Sequence, residues 1–542
     1  MSGGRIPGFM LKVAAPAMAG ALLTGCMVGP NFVTPAAQTM PKWVGAAIVE
    51  HARYSGVSEQ RETPVAWWKL LDDPVLDQLV ATAAAQNLTL EAAGIRIYQA
   101  RAELGVVIGD KFPQSQRIGF GYKSERVSKE VGILKEVATL SDFDPRFEEW
   151  AAGFDASWEI DVWGQVRRGI QAAGANLVAQ VANYDDALVT LTGDVATAYV
   201  TIRELQELLA LAHSNAALQT ESLKITEARF KNGATTELDV QEATVLLNNT
   251  MAQIPSLQAD LAKAKNALAV LLGVPPNQLP ASVEKFRPVP RPPAQIGIGI
   301  PSDLLRRRPD IRAAEMRAAR EAALVGVATA DLYPQFGITG AIGFKASDFS
   351  DLFTGRALTS MINPGVTWNI LSYGRVRNNI RVQDAKYQEA ITGYQQTVLK
   401  AYAEVEDALT AFLMAKQQAV YLARAVEASE AARRIALRQY QDGAADFSRV
   451  LDAETNLLHG QQRLAAVRAD VVTNLIALYK GLGGGWQPAN TGPFIPESTK
   501  IEMAARTDWG PILDEQTPTE GERTFVAATD EPGFQWALRT GN

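Results

Sequence analysis

Two hydrophobic periodicities alternate along this chain. In short runs the apolar residues occupy every second position, which is typical of a β-strand with one apolar and one polar face. In much longer runs they recur every three to four residues, which is typical of an amphipathic helix. The pattern therefore predicts a mixed α+β protein whose helices are far longer than its strands.

Four short runs predict the strands. Their polar positions carry glycines and charged residues such as Asp155 and Lys345. Each run is of the length, about 9–11 residues, at which a tilted β-strand crosses a bilayer. The predicted apolar faces are Ile118, Phe120 and Tyr122; Ala152, Phe154, Ala156, Trp158 and Ile160; Phe336, Ile338, Ile342 and Phe344; and Ile362, Pro364, Val366, Trp368 and Ile370.

Two pairs of long helices follow the strands. Apolar residues step by three and four through Leu188, Leu191 and Val195 without a break, as in the seam of a coiled coil. Sixty such residues make a rod of roughly 90 Å. The predicted rods are 171–231, turning at Gly233 and returning over 236–272, and 379–440, turning at Gly443 and returning to residue 480.

The strand-to-helix segments are two copies of one pattern. The first reads Trp158-Glu-Ile-Asp-Val-Trp163-Gly164 and the second Trp368-Asn-Ile-Leu-Ser-Tyr373-Gly374, a separation of 368 − 158 = 210 residues. Upstream, Phe112-Pro113 recurs as Tyr333-Pro334, a separation of 333 − 112 = 221 residues. The chain is therefore a tandem duplication.

The duplication predicts six segments. Most of the length belongs to the two repeats, and the tail is expected to be partly ordered against the body. The predicted boundaries are 1–25 for a lipoprotein signal peptide, 26–66 for a lipidated extended segment, 67–273 for repeat one, 274–301 for a Pro-rich connector, 302–486 for repeat two and 487–542 for a polar tail.

The N-terminus carries an export signal. Basic residues precede an apolar run over 13–24, which is too short for the roughly 20 residues of a spanning helix. The run ends in Leu23-Thr24-Gly25-Cys26, which resembles a bacterial lipobox, and Cys26 is the only cysteine. We predict a covalent lipid on Cys26 and export to the outer membrane. The alternative is an ordinary signal peptide that happens to end in cysteine.

The four strands need partners from other chains if they lie in lipid. An open sheet would leave the amides at its edges unsatisfied. Two copies would give eight strands and an interior filled by side chains, whereas three would give twelve strands and a pore. Aromatic residues near the strand ends (Tyr122, Trp150, Trp158, Phe344 and Trp368) favour the membrane over a soluble sheet packed on helices.

Composition and motif content argue against other function classes. The formal net charge of −7 argues against nucleic acid as a partner. The histidines His51, His213 and His459 lack a ligand-like spacing, and the sequence shows no nucleophile constellation and no phosphate-binding glycine loop. We therefore expect no enzyme activity, no metal and no cofactor beyond the lipid on Cys26.

In order along the chain, these motifs resemble the TolC-like outer-membrane factors of tripartite efflux systems, and most closely their lipidated OprM/NodT branch. The motifs that carry the resemblance are Cys26 followed by Gly29-Pro30-Asn31-Phe32, Trp67-Trp68 with Asp73-Pro74, Phe112-Pro113, Trp158 to Gly164, Phe230 to Gly233, Tyr333-Pro334 and Val450-Leu451-Asp452-Ala453. The resemblance covers roughly residues 26–486. It implies a homotrimer in the outer membrane of a Gram-negative bacterium, with a twelve-stranded β-barrel and a periplasmic tunnel of α-helical hairpins.

The resemblance also implies partners and sites. It implies a periplasmic adaptor and an inner-membrane pump of the RND type, with outer-membrane lipid around the barrel. The tips of the two hairpins lie furthest from the barrel, so we predict that the adaptor docks there, at Lys231, Asn232, Gly233, Asp442 and Gly443; the alternative is that the glycines only make the turn. The resemblance implies that the tunnel closes at an aperture on the second hairpin, at Ser448, Arg449 and Asp452.

The aperture departs from the family pattern at one position. Family members often place an acid one turn before the position of Asp452, where this chain has Arg449. Because residues three apart on a helix are neighbours, Arg449 is able to bridge to Asp452 of its own or of a neighbouring chain. The alternative is that both residues lie solvated on an outer helix face.

Three functions remain open at this point. The first is the passive exit duct of an efflux pump for small molecules such as drugs. The second is a duct of the same architecture for type I protein secretion. The third is a structural coiled-coil lipoprotein of the envelope, against which the alternating strands count.

Overall fold

The computed structural model describes residues 27–38, 40, 43, 57–58, 65–132, 135–136, 140, 144–299, 307–486 and 493–514. The helices are α1 Pro74–Gln86, α2 Leu88–Gly109, α3 Gln165–Lys231, α4 Glu237–Leu271, α5 Ala281–Glu284, α6 Pro309–Ala330, α7 Arg375–Gln441, α8 Phe447–Gly481 and α9 Glu497–Arg506. The strands are β1 Val57–Ser58, β2 Ser115–Arg126, β3 Arg146–Ile160, β4 Ile296–Gly297, β5 Gln335–Ala346 and β6 Leu358–Thr367.

The order of elements is the same in both halves of the chain. Each half has a helix of 22 residues, two antiparallel strands, a helix of 67 residues and a returning helix of 35 residues. At 1.5 Å per residue the longest helices reach about 100 Å. None of the helices in the described part of the chain combines the length and the hydropathy needed to span a bilayer.

Both long helices begin earlier than their hydrophobic pattern predicts. The observed starts are Gln165 and Arg375, each directly after a glycine with a positive φ. At the first start the carboxylate of Asp161 accepts hydrogen bonds from the backbone N–H groups of Val166 and Arg167, at 3.2 and 2.9 Å. Because polar capping stabilises this first turn, the hydrophobic periodicity does not predict where the helix begins.

Strands β2, β3, β5 and β6 form one antiparallel sheet in that order. Ile118 lies opposite Phe154, which in turn lies opposite Ile342. The predicted apolar residues of the four strands therefore share one face. One detail of the prediction is wrong, since β6 ends at Thr367 and excludes Trp368 and Ile370. The N–H of Ile370 donates to the carbonyl of Trp368 at 3.1 Å, which turns the chain away from the sheet.

The main hydrophobic core lies where the first halves of the long helices pack on the shorter ones. Helix α3 packs against both α2 and α6, while α7 packs against α6. Leu188, Leu191 and Val195, predicted on the coiled-coil seam, are buried there. Farther from the sheet the helices form two antiparallel hairpins, α3–α4 and α7–α8, and Pro255 is accommodated within α4.

The described part of the tail packs on α2 and α3 of repeat one. Phe494 is buried, with its ring 5.1 Å from that of Tyr184 and 6.4 Å from that of Tyr98. A Cβ on Gly94 of α2 would lie 2.1 Å from the carbonyl oxygen of Phe494. Glycine is therefore required at position 94 for the tail to lie in this place.

Candidate functional site

The apolar face of the four-stranded sheet is uncovered. Ile118 and Ile362 are 89% and 81% exposed, and every residue of β6 is exposed. A sheet packed on helices would bury these side chains, so the soluble alternative is not what this chain forms. The strands have 12, 15, 12 and 10 residues, which is enough to cross a bilayer.

Aromatic side chains mark both ends of the uncovered face. At one end the ring of Trp150 lies 4.6 Å from that of Tyr122 and 5.1 Å from that of Phe349. At the other end the indoles of Trp158 and Trp368 donate to the carbonyls of Lys111 and Leu332. From Trp150 to Trp158 the strand rises about 26 Å at 3.3 Å per residue. Because barrel strands tilt by about 35–45°, this length corresponds to a height of about 19–22 Å, close to the apolar band of a membrane barrel, which is about 25 Å tall between aromatic girdles.

The described N-terminal segment begins beside the aromatic row of Trp158 and Trp368, which we call the lower aromatic row. Cys26 itself lies outside the described residues, but its neighbour Met27 packs so closely on Gly164 that a Cβ there would meet it at 2.4 Å. The N–H of Val28 donates to the carbonyl of Trp163 at 3.1 Å. The buried Arg168 binds the carbonyls of Val28 and Gly29. Met27, the first described residue, therefore lies beside this row.

The two hairpin tips are built in the same way. At the first, the N–H groups of Gly233 and Ala234 donate to the carbonyls of Phe230 and Arg229, both at 2.9 Å. At the second, those of Gly443 and Ala444 donate to Tyr440 and Gln439, at 3.1 and 2.8 Å. This is a Schellman motif, in which glycine adopts a positive φ after the helix. The observed φ values are 68° at Gly233 and 75° at Gly443.

The predicted docking residues at the tips are accessible in this chain. Lys231, Asn232 and Asp442 are exposed. They lie at the far ends of α3 and α7, about 100 Å along the helices from the sheet. The structure thus places the two tips where the prediction requires them, and their role in docking stays a prediction.

Arg229 joins the two tips, a contact that the sequence pattern does not reveal. Its guanidinium donates to the carbonyls of Tyr440 and Gln441 at 2.6 and 3.0 Å and lies 4.7 Å from the centre of the Tyr440 ring. The Tyr440 ring packs in turn on Phe447. The sequence gives one indication of this contact: the two repeats differ at this position, where Arg229 has Gln439 as its counterpart 210 residues later.

The predicted aperture residues Ser448, Arg449 and Asp452 are exposed on one face of α8. The opposite face is buried through Phe447 and Val450. In the described part of this chain no ion pair joins Arg449 to Asp452, so the bridge within one chain is not formed. Because both side chains are exposed, they are accessible to another copy or to another protein.

A buried ion pair lies next to the aperture residues and was missed by the sequence reasoning. Glu454 accepts from Arg433 at 3.3 Å and from the hydroxyl of Ser222 at 2.6 Å. Burial raises the pKa of Glu454, while the bonds from Ser222 and Arg433 act in the opposite direction. Three helices, α3, α7 and α8, meet at this carboxylate, so it ties the second hairpin to the first.

Helices α3 and α8 are joined by polar pairs along their length. Five side-chain contacts connect them or the tip beside them, and the residue numbers rise along α3 as they fall along α8. The pairs are Asp194 with Lys480, Glu207 with Arg468, Asn215 with Gln461, Ser222 with Glu454, and Arg229 with the carbonyl of Tyr440. We call this row of pairs the polar seam between the hairpins; near the tips, Leu223 and Ile225 also pack against the apolar cluster of the second hairpin.

Known proteins share this sequence and architecture. The family described as outer membrane efflux protein matches residues 79–274 and 300–484. The pyoverdine export outer membrane protein OpmQ of Pseudomonas putida is 33% identical over 421 residues, which are 78% of this chain and 88% of OpmQ. Nodulation protein T of Rhizobium leguminosarum bv. trifolii is 29% identical over 467 residues, which are 86% of this chain and 96% of that protein.

A solved structure agrees with the sequence matches. The outer-membrane channel OprN superposes with a TM-score of 0.79 at 33% identity, covering 85% of this chain and 100% of that one. The resemblance drawn from the motifs is thereby confirmed. The chain belongs to the outer membrane efflux protein family and is the outer-membrane component of an efflux system in a Gram-negative bacterium.

Proposed function

We propose that three copies of this chain form a continuous duct through the outer membrane and into the periplasm. Each copy contributes four strands to a twelve-stranded barrel, which is wide enough to leave a pore. The uncovered apolar face of the sheet, bounded by two aromatic rows, supports this placement in lipid. Closure into a barrel satisfies the free edges of β2 and β6, as the hydrocarbon region requires.

The helical hairpins extend this duct as a periplasmic tunnel. The duct is passive and uses neither a cofactor nor catalysis. A periplasmic adaptor binds the hairpin tips at Lys231, Asn232, Gly233, Asp442 and Gly443, and an RND-type inner-membrane pump supplies the energy. Ser448, Arg449 and Asp452 line the closed end, where Arg449 of one copy faces Asp452 of the next. The exposure of these side chains supports both assignments.

The cargo is a small molecule. OpmQ is named for pyoverdine export, and TtgF of Pseudomonas putida is named as a toluene efflux protein. Both names favour small-molecule efflux over protein secretion. A coiled-coil structural lipoprotein would have no use for four strands with an uncovered apolar face.

A lipid on Cys26 anchors each copy beside its barrel. The position of Met27 against Trp163 and Gly164, at the lower aromatic row, supports this assignment. An acyl chain attached one residue earlier would enter the bilayer without stretching the N-terminal segment. Together with the barrel it holds the protein in the outer membrane.

The observation that carries the proposal is the uncovered apolar face of a sheet with two free edges. The purified protein is reconstituted in planar lipid bilayers, and its conductance is measured with and without the hairpin tips held closed by antibody or adaptor. We expect discrete single-channel steps. A preparation that binds the bilayer as an intact oligomer and never conducts would overturn the duct and favour a structural role.

A further inference from the structure

The tail lies beyond the part of the chain that matches the family, which ends at residue 484. Most of its described residues, 493–514, are exposed or half-buried. The buried ones are Phe494, Ile495, Met503 and Leu513. Helix α9 has ten residues, fewer than the roughly 12–15 that an isolated helix needs in water. The tail therefore depends on a few contacts with the body for its structure, as a docked peptide does.

A groove between α2 and α3 receives the first two buried residues of the tail. Gly94 of α2 forms its floor, since a Cβ there would lie 2.1 Å from the carbonyl oxygen of Phe494 and 3.2 Å from the side chain of Ile495. The rings of Tyr98 and Tyr184 both meet the Phe494 ring edge to face. The groove thus holds one aromatic residue between two helices.

Two further contacts orient the tail in this groove. The guanidinium of Arg101, a buried residue, lies 5.6 Å from the centre of the Phe494 ring, where a cation is attracted to the aromatic face. The hydroxyl of Thr499 donates to the carboxylate of Glu91, which precedes Gly94 on α2. Contacts with later tail residues therefore fall earlier on α2, so the tail runs in the opposite direction to this helix.

The second repeat has an equivalent groove with a different occupant. The shift of 221 residues turns Gly94 of α2 into Glu315 of α6. Glu315 accepts from the hydroxyl of Thr34 at 2.7 Å. On α7, the amide of Gln395 donates to the carbonyl of Ala36 at 3.1 Å. The N-terminal segment thus occupies the groove of repeat two, while the tail occupies the groove of repeat one.

The two grooves differ at the positions that contact the Phe494 ring and backbone. The residues of α2 at these positions are Gly94, Tyr98 and Arg101, and their counterparts on α6 are Glu315, Ala319 and Ala322. Glycine leaves room for the tail backbone, while tyrosine and arginine contribute a ring and a cation against the Phe494 ring. The groove of repeat one is therefore specific for an aromatic residue, and that of repeat two is not.

We propose that the groove between α2 and α3 is a peptide-binding site for an extended aromatic–aliphatic–proline segment. The tail of the same chain is its ligand, through Phe494, Ile495 and Pro496, and α9 begins directly after this proline. Because the tail is held as a docked peptide, it binds reversibly, and a free peptide of the same sequence competes for the groove. This site lies outside the barrel and the tunnel and goes beyond the proposed duct.

Two glycines of α2 provide a matched test in the full-length protein. Gly94→Ala should displace the tail, whereas Gly105→Ala should not, because a Cβ at Gly105 would meet nothing within 4 Å. Alanine favours a helix over glycine at both positions, so a loss seen only at position 94 is steric. Hydrogen exchange over residues 493–506 should become about tenfold faster or more in Gly94→Ala alone. Exchange over α2 should not increase in either variant, which shows that the helix is intact.

A peptide added in trans tests the groove as a binding site. A fluorescent peptide of residues 493–514 is mixed with each full-length protein, and its binding is measured by anisotropy. It should bind the Phe494→Ala protein, whose own tail has lost its main anchor. It should bind the parent about tenfold more weakly or less, because the parent's own tail is present at a high effective concentration. Adding Gly94→Ala to the Phe494→Ala protein should abolish binding, as should Phe494→Ala in the peptide.

Each result supports or overturns one part of the proposal. Equal tail exchange in Gly94→Ala and Gly105→Ala overturns the placement of the tail in the groove. A peptide that does not bind the Phe494→Ala protein, or that still binds when Gly94→Ala is added, overturns the binding site. Equal binding to the parent and to the Phe494→Ala protein overturns the claim that the chain's own tail is the ligand. Neither measurement uses conductance, so the site is tested separately from the duct.

Discussion

The buried carboxylate of Glu454 joins α8 to α7 within the second hairpin and to α3 of the first, and its removal should loosen the three helices near the tips. Glu454 is 3% exposed and accepts from Arg433 of α7 and Ser222 of α3. Glu454→Ala leaves the Arg433 guanidinium buried without an anion. Breaking a buried ion pair in this way costs about 3–5 kcal/mol.

The assay is hydrogen exchange of the backbone amides over residues 430–460, measured by mass spectrometry on the assembled protein. A local loss of about 3–5 kcal/mol corresponds to exchange faster by about two to four powers of ten wherever local opening limits it. Amides near the sheet should be unaffected. Glu427→Ala, an exposed acid on α7, is the matched control and should change exchange little.

Glu454→Gln should behave very differently from Glu454→Ala. Glutamine keeps the oxygen that accepts from Ser222 and Arg433, and burial already disfavours the charged carboxylate, since the pKa of Glu454 is raised. A pKa raised in the folded state gives a contribution to stability that is complete below the ordinary pKa and is lost as the pH rises through the raised value. Protection in the parent should therefore decline over that range, and in Glu454→Gln it should not.

A double variant completes the test. Replacing both ions together, as Arg433→Met with Glu454→Leu, removes the unpaired charge and should recover most of the lost protection. Parent-like exchange in Glu454→Ala would refute the claim that Glu454 holds α3, α7 and α8 together. Equal loss in the alanine and glutamine variants would show that the oxygen acceptors are not what matters.

Three further predictions concern the lipid, the tips and the aperture. The mature chain should begin at Cys26 with added acyl mass, and Cys26→Ser should impair membrane anchoring while the oligomer still forms; an unmodified Cys26 would contradict this. A bulky residue at Asn232 or Asp442 should weaken cross-linking to the adaptor without changing oligomer yield, and unchanged cross-linking would count against docking at the tips. Arg449→Ala should raise the single-channel conductance by loosening the closed end, and Asp452→Ala should also alter cation selectivity. If both variants conduct like the parent at every salt concentration, the aperture lies elsewhere.

Periodicity was sufficient to predict the regular parts of this fold. Alternation placed Ile118, Phe154 and Ile342 on one sheet face, because a period of two leaves each residue only two directions. The glycines at 233 and 443 were recognisable as turns since each follows a long helical pattern. Because the chain is a tandem duplication, the helix–turn–helix structure predicted for one hairpin was also expected for the other.

Hydrophobic periodicity could not predict contacts between polar residues that lie far apart in the sequence. Glu454 and Arg433 belong to different helices, and neither breaks a hydrophobic pattern that would single it out among the charged residues of the hairpins. The bridge from Arg449 to Asp452 was suggested by spacing alone, and spacing does not fix rotamers; within the chain it is not formed. The hydrophobic pattern also gave no sign of the capping by Asp161, so the start of α3 was placed several residues too late. The start of α7 was placed too late as well, although position 371 is Leu and offers no such cap.

The polar seam between α3 and α8 has a consequence for how the hairpins can separate. The boundary between hairpins carries pairs such as Asn215 with Gln461 and Asp194 with Lys480, and near the tips an apolar cluster also crosses it, in which Ala243 of α4 packs with Tyr440 and Phe447. Where the polar pairs part, water replaces the lost partners, so little stabilisation is lost there. Separation of the hairpins is therefore resisted mainly near the tips, by this apolar cluster and by the buried carboxylate of Glu454.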